Sequence, residues 1–361
     1  EMIWRGVREN DTMTEVEAPP SKRFRVEDHD DDSHRQQLVS FAGNRDTGDV
    51  IRTSSLAQPT MKLSGHAGSV YSLAYDPLGE CLCSGSFDMT CLLWNASGDC
   101  ENFNVLKGHK NAILDLTWSN DSEHICTASA DHHLGWFDST TGTRIKRFMG
   151  HEKIVNAVDS CREGFAGIMA SGSDDCTARL WDSRVRGDVG RLDHDFQVTS
   201  VAFSADANTL YTGGIDNCIT AWDVRRLEKT MKMKGHSDTI TCLSLNPKGT
   251  HLLSNAMDGT IRSWDVRPFV EGPNRLHKTF VGGTHNAEKG LLNCAWSSDG
   301  SMVTGGSADR VVHIWDEFTA EELYYLPGHT GCVNSVIFHP KENVIASGSS
   351  DKSIYVGELA Q

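Results

Sequence analysis

The stretch LSNAMDGTIRSWDVRPF, residues 253–269, sets an Asp-Gly turn at Asp258-Gly259 and a Trp-Asp pair six residues later, at Trp264-Asp265. Aspartate suits a tight turn because its carboxylate accepts hydrogen bonds from nearby backbone, and glycine adopts the left-handed geometry such turns demand. The fold is decided by the recurrence of this arrangement. Aligned on the turn aspartate, seven units appear, at Asp88, Asp131, Asp175, Asp216, Asp258, Asp309 and Asp351, separated by 43, 44, 41, 42, 51 and 42 residues.

That period is the length of a four-stranded propeller blade. Six residues after each aspartate stand Trp94, Phe137, Trp181, Trp222, Trp264, Trp315 and Gly357, followed by Asn95, Asp138, Asp182, Asp223, Asp265, Asp316 and Glu358. Each unit is opened by a histidine: His66, His109, His151, His194, His236, His285 and His329. Glycine precedes five of them, while Asp193 and Thr284 precede His194 and His285. The expected fold is all-β, a seven-bladed propeller over residues 56–361. In each blade histidine and aspartate form a buried polar network that tryptophan joins through its N–H. Alternating strand residues such as Val198, Ser200 and Ala202, and strand-end aromatics Tyr75, Trp118, Phe203, Trp296 and Phe338, are expected in the core. The last unit runs only three strands before Gln361, so Pro59–Leu63 is expected to supply its fourth and close the ring.

Seven equivalent His/Asp pairs point away from acid-base catalysis, which needs one asymmetric cluster of perturbed groups. The sequence holds no nucleophile elbow, phosphate-binding glycine loop or HExxH motif, so we expect no catalytic residue, metal or cofactor. Eleven cysteines are scattered singly from Cys81 to Cys332 and read as reduced core thiols, with no zinc spacing and no disulfide framework. No apolar run approaches the length of a membrane span, so no membrane or small-molecule substrate is expected. A net charge of −15 argues against direct capture of nucleic acid, leaving RNA accessible only through other proteins. Residues 1–55, with the acidic run EDHDDD at 27–32, read as a disordered tail. Its Lys22-Arg23-Phe24-Arg25 cluster fits either a nuclear-import patch or a solvated charge cluster.

A ring without catalytic residues reads as a platform for other proteins. The residues just before the turn aspartates ring its narrower mouth, where Phe87, Ile215 and Met257 are out of place on a solvent-facing turn and mark a candidate partner-binding patch. Folding back onto the neighbouring blade is the other reading of the same three. The 51-residue spacing reflects an extension, VEGPNRLHKTFVGGTHNAEKG at 270–290, read as a surface loop and second contact site.

The segments LLSNAMDGTIRSWDVRPF, GGIDNCITAWDVR, GSADRVVHIWD and LPGHTGCVNSVIFHP, and LKGH following LLWNASGDCENFNV, resemble the WD-repeat subunits of the U5 small nuclear ribonucleoprotein, from about Pro59 to Glu358. That resemblance implies a nuclear, non-catalytic scaffold subunit of the spliceosome in pre-mRNA splicing. Its partners would be the large central scaffold protein of U5 and other spliceosomal proteins. A different function is suggested by Trp181-Asp182-Ser183-Arg184, Trp222-Asp223-Val224-Arg225 and Trp264-Asp265-Val266-Arg267, which fit the WDxR pattern of substrate receptors of cullin-RING ubiquitin ligases. There Arg184, Arg225 and Arg267 would grip the adaptor; as strand-end caps they would grip their own turns.

Overall fold

The computed structural model describes Arg52 and residues 54–359, apart from 163, 165, 271–274 and 286–289. The tail readings therefore fall, for residues 1–51, outside the described residues, while Arg52, Ser54 and Ser55 are bonded to the last blade. Arg52 pairs with Glu358 at 3.0 Å, Ser54 donates to Glu358 and Ser55 to Glu342.

Among the described residues there are 28 strands, from β1 (Thr60–Ser64) to β28 (Ser353–Glu358), in seven four-stranded antiparallel sheets. The first blade shows the plan: β2 (Val70–Tyr75) innermost, then β3 (Cys81–Ser86), β4 (Thr90–Asn95) and β5 (Asn102–Lys107) outermost. Asp88 lies in the turn from β3 to β4, as the period requires. Because the sheets are covered on both faces, the middle strands are buried along nearly their whole length: Leu82, Cys83, Leu92, Leu93 and Trp94 are all buried. A register shift at the start of the innermost strand recurs at Val70/Ser72, Ile113/Asp115, Val155/Ala157, Val198/Ser200, Ile240/Cys242 and Val333/Ser335. Such bulges increase twist, and six of the seven inner strand pairs carry one.

Closure follows the expected route. β1 pairs antiparallel with β28, Thr60 opposite Gly357 and Ser64 opposite Ser353, so the first strand in the sequence completes the seventh blade. Leu63 is buried in one cluster with Val356, Ile354 and, from the first blade, Val70 and Trp94.

The 270–290 extension is corrected by the structure. Leu276–Val281 is not loop but the outer strand of the fifth blade, paired with Thr260–Asp265 and burying Phe280. The added length is therefore split between the segments on either side of an ordinary strand, parts of which lie outside the described residues. The residues LHKTFV alternate, and that local signal outranks the length of the spacing.

Candidate functional site

In five blades the histidine and turn aspartate meet. His66 Nδ1 lies 2.9 Å from Asp88 Oδ2 and its Nε2 2.8 Å from Ser84 Oγ, which also accepts from Trp94 Nε1 at 2.9 Å. Equivalent His-to-Asp distances are 2.9 Å for His109 and Asp131, 2.8 Å for His151 and Asp175, 2.9 Å for His236 and Asp258, and 3.0 Å for His329 and Asp351. Each aspartate also takes backbone donors and, Asp131 apart, a hydroxyl: Asp258 accepts from Thr260 Oγ1 at 2.6 Å and from Ser237 N at 3.1 Å. Burial pushes the Asp258 carboxyl up, but the donors Thr260, His236 and Ser237 outweigh it and hold it at about 2. Burial likewise lowers His236 and His66 against the pull of their aspartates. These groups are held in fixed protonation states by partners on three chain segments, as structural ties require. Phe137 and Gly357 cannot extend the chain of bonds, and there the rings of Phe137 and Tyr355 lie against the histidines, tilted in the first case and T-shaped in the second.

Two of the seven expected pairs do not form. In the fourth blade Asp216 accepts from Lys232 Nζ at 2.8 Å, and His194 turns its ring edge-on to Trp222, with centroids 4.8 Å apart. In the sixth, Asp309 is met by His313 at 2.7 Å, not by His285; His313 also reaches Glu322 at 2.6 Å and stacks on Trp315. The glycine before the histidine is the reason. A Cβ on Gly235 would come within 2.8 Å of Cη2 of Trp264, and on Gly65 within 3.2 Å of Cη2 of Trp94. Asp193 and Thr284 bring that Cβ, so the entering loop cannot seat its histidine as in the other blades while the indole keeps its place. Competition completes the exchange, since a lysine ammonium binds a carboxylate more strongly than a neutral imidazole does. A histidine four residues after the turn aspartate was the overlooked signal for the sixth blade.

The turn residues are exposed unevenly. Phe87 and Ile215 are 58% and 44% exposed, whereas Met257 is half-buried. Phe87 sits on the first blade against the edge of Tyr71, and Ile215 and Met257 on the adjacent fourth and fifth. Phe196, 53% exposed in the loop entering the fourth blade, directly precedes Gln197, whose carbonyl accepts from Ile215 N, and was not singled out in the sequence, because loop position rather than pattern exposes it. Arg184 closes on its own Asp182 at 2.7 Å and Arg267 on Asp265, while Arg225 donates its backbone N–H to Asp223 at 2.9 Å. The three motifs therefore tie the ends of their own strands.

A buried carboxylate inside the ring also escaped notice. Asp115, on an innermost strand, accepts from Ser72 Oγ and from Val158 N at 2.9 Å each, so it joins three consecutive blades. Ser335 and Ser200 do the same for Leu73 N and Leu243 N. Burial pushes Asp115 up to about 7 despite those donors. A folded-state value above the unfolded one gives stability that is complete below about pH 4 and lost as pH rises through 7. The urea midpoint attributable to this group falls over that window, and Asp115→Asn flattens the slope in denaturation curves at pH 4, 5.5 and 7.5.

Asp121, Glu123 and His124 bring possible ligand atoms within 4.8 Å of one another. Asp121 Oδ1 is already taken by Ser119 Oγ and Glu123 N, which makes the group a closed turn.

The protein-family model WD domain, G-beta repeat matches at 57–95, 100–138, 142–182, 188–223, 227–265, 276–316 and 320–356, one match per repeat. The chain is 50% identical over 327 residues, 90% of its own length and 91% of the relative's, to the U5 small nuclear ribonucleoprotein 40 kDa protein of Dictyostelium discoideum. It is 46% identical over 308 residues, 85% of the chain and 86% of the relative, to the human protein of that name. It is 43% identical over 313 residues, 86% and 91%, to pre-mRNA-splicing factor cwf17 of Schizosaccharomyces pombe.

Proposed function

The chain belongs to the WD domain, G-beta repeat family and, within it, to the family of the U5 small nuclear ribonucleoprotein 40 kDa proteins, and on that premise we propose that it is a non-catalytic scaffold subunit of U5 and the spliceosome. It acts in the nucleus in pre-mRNA splicing. Its partners are the large central scaffold protein of U5 and other spliceosomal proteins, with RNA reached through them. What carries this reading is identity of 46 to 50% across the whole ring with proteins named for U5. The repeated His/Asp ties support a structural use of the residue types an enzyme would need, and the net charge of −15 supports indirect contact with RNA. The docking face is the one bearing the turn aspartates, where Phe87 and Ile215 are exposed. The pairing of Arg184 and Arg267 with their own aspartates supports the strand-end reading of these motifs over the cullin-adaptor one.

The test is a native pull-down of tagged protein from nuclear extract, with RNA sequencing and mass spectrometry. U5 RNA and the scaffold protein are recovered with the native chain. The triple change Phe87→Ser, Ile215→Ser, Met257→Ser lowers that recovery at least about tenfold, in line with loss of apolar anchors at an interface centre, while the melting profile is retained. Undiminished recovery moves the interface elsewhere on the ring; a cullin adaptor in place of U5 RNA overturns the assignment.

A further inference from the structure

The strand ends away from the turn aspartates are unevenly charged. There the turn between the first and second strands of a blade meets the turn between its third and fourth. Ser183 N donates to Gly167 O at 2.8 Å, Val224 N to Asn208 O at 2.9 Å and Val266 N to Thr250 O at 3.0 Å. The outer turns of the third, fourth and fifth blades, at 182–188, 223–229 and 265–278, hold eight Lys and Arg against six Asp and Glu. Those of the sixth and first blades, at 316–322 and 95–101, hold six Asp and Glu and no Lys or Arg. A chain of net charge −15 thus carries a basic arc across three consecutive blades.

Most carboxylates of that arc are already engaged. Asp182 and Asp265 are closed by Arg184 and Arg267, and Asp188 pairs with Arg179 at 3.3 Å. Asp223 accepts the backbone N–H groups of Arg225 and Arg226 at 2.9 Å each. Arg186, Arg225 and Arg226 are exposed, and their side chains make no ion pair among the described residues. Each of the three turns also presents an apolar side chain to solvent: Val185, Leu227 and Phe269, the last 95% exposed. Leu227 N donates to Asp223 O as Gly142 N does to Asp138 O in the second blade, and both residues are left-handed, with φ of 58° and 69°. A leucine at that position carries backbone strain that glycine avoids, which points to use of its side chain.

We propose that this arc docks an extended acidic segment of a partner protein in which carboxylates alternate with apolar side chains. Each carboxylate takes two N–H groups of a planar guanidinium, and the apolar residues settle on Val185, Leu227 and Phe269. The screening length at physiological salt is about 8 Å, so a segment lying on the arc is attracted to it although the chain as a whole is acidic. Single-stranded nucleic acid is the poorer fit. Successive bases need aromatic platforms, and of the three apolar residues only Phe269 is aromatic. The arc lies at the other strand ends from Phe87 and Ile215, so the inference does not rest on the docking face proposed above.

The test uses the purified full chain and a fluorescein-labelled peptide of four Glu-Glu-Phe repeats, with binding read by fluorescence anisotropy. Changing Arg186→Ala, Arg225→Ala and Arg226→Ala together weakens binding about tenfold, the sum of several exposed ion pairs, and leaves the melting temperature unchanged. Phe269→Ser combined with Leu227→Asn, which keeps a residue tolerant of left-handed geometry, weakens it to a similar extent. Lys352→Ala, in the turn between the second and third strands of the seventh blade, has no effect. The proposal is overturned if the arginine variant binds as the native chain does. It is equally overturned if a peptide of four Gln-Gln-Phe repeats binds as tightly as the acidic one, or if a twelve-nucleotide polyuridine binds more tightly than either.

Discussion

Trp264→Ala lowers the free energy of unfolding by about 3–5 kcal/mol, the range for truncating a large buried aromatic side chain. Trp264 is 1% exposed and packs in one cluster with Ile219, Met233 and Ile240, so its loss opens a hole where the fourth and fifth blades meet. It also withdraws the Nε1 donor from Ser254 Oγ, 2.8 Å away, which His236 Nε2 shares at 2.7 Å. The hole and the lost donor fall in the same network, so they do not add independently. Urea denaturation followed by far-ultraviolet circular dichroism measures the change. A loss below about 1 kcal/mol would show that the fifth blade's indole is not the anchor its geometry makes it. Trp264→Phe recovers the packing and not the donor, and falls between the two.

Removal of residues 1–64 opens the ring. β1 forms a five-residue ladder with β28, at about 0.5–1.5 kcal/mol net for each backbone bond, and buries Leu63, with Leu56 buried just ahead of it, at roughly 1.5–3 kcal/mol each. Together these come to roughly 5–13 kcal/mol, comparable with the whole stability of an ordinary domain. β28 would then be an uncovered edge, a template for pairing with a second copy. Size-exclusion chromatography with light scattering is expected to show dimers and larger species in place of a monomer, and the melting temperature to fall by more than 10 °C, a shift that roughly 5 kcal/mol produces even in a large domain. A monomer of unchanged stability would mean that the seventh blade holds with three strands. Removing residues 1–51 alone leaves both closing contacts in place and is the control.

Conservative and disruptive changes separate in this ring because its units are coupled to neighbours on both sides. The same coupling explains where reading the chain succeeded. The period of the turn aspartates fixed the number of blades, since a four-stranded sheet that buries both faces cannot change length much without exposing core. The turn chemistry located the junction of second and third strands in every unit, and a last unit of only three strands pointed to Pro59–Leu63, just ahead of Gly65-His66, as the closing strand.

The histidine partners were legible only in part. Read alone, seven histidines at like positions imply seven like pairs. The glycine before each was the better guide: in three of the five paired blades the indole tip passes where a Cβ would stand, and where Asp193 or Thr284 replaces the glycine, the pair is lost. Nothing local marks Lys232 as the residue that takes Asp216, or His313 as the one that takes Asp309, since both arrive across a sheet or around a turn whose geometry is settled by packing.

By itself, then, the sequence determined what depends on spacing along the chain: seven blades, their turns and the closing strand. Only the tertiary structure decided which side chains meet across blades. It gathered Ser72, Asp115 and Val158 around one buried carboxylate, split the 270–290 extension about the strand Leu276–Val281, and left His194 beside an open cavity. The physical reason is that repeat periodicity encodes contacts within a unit, where separations are fixed. Contacts between units depend on how each neighbouring sheet is tilted and on which of several competing charges lies nearest.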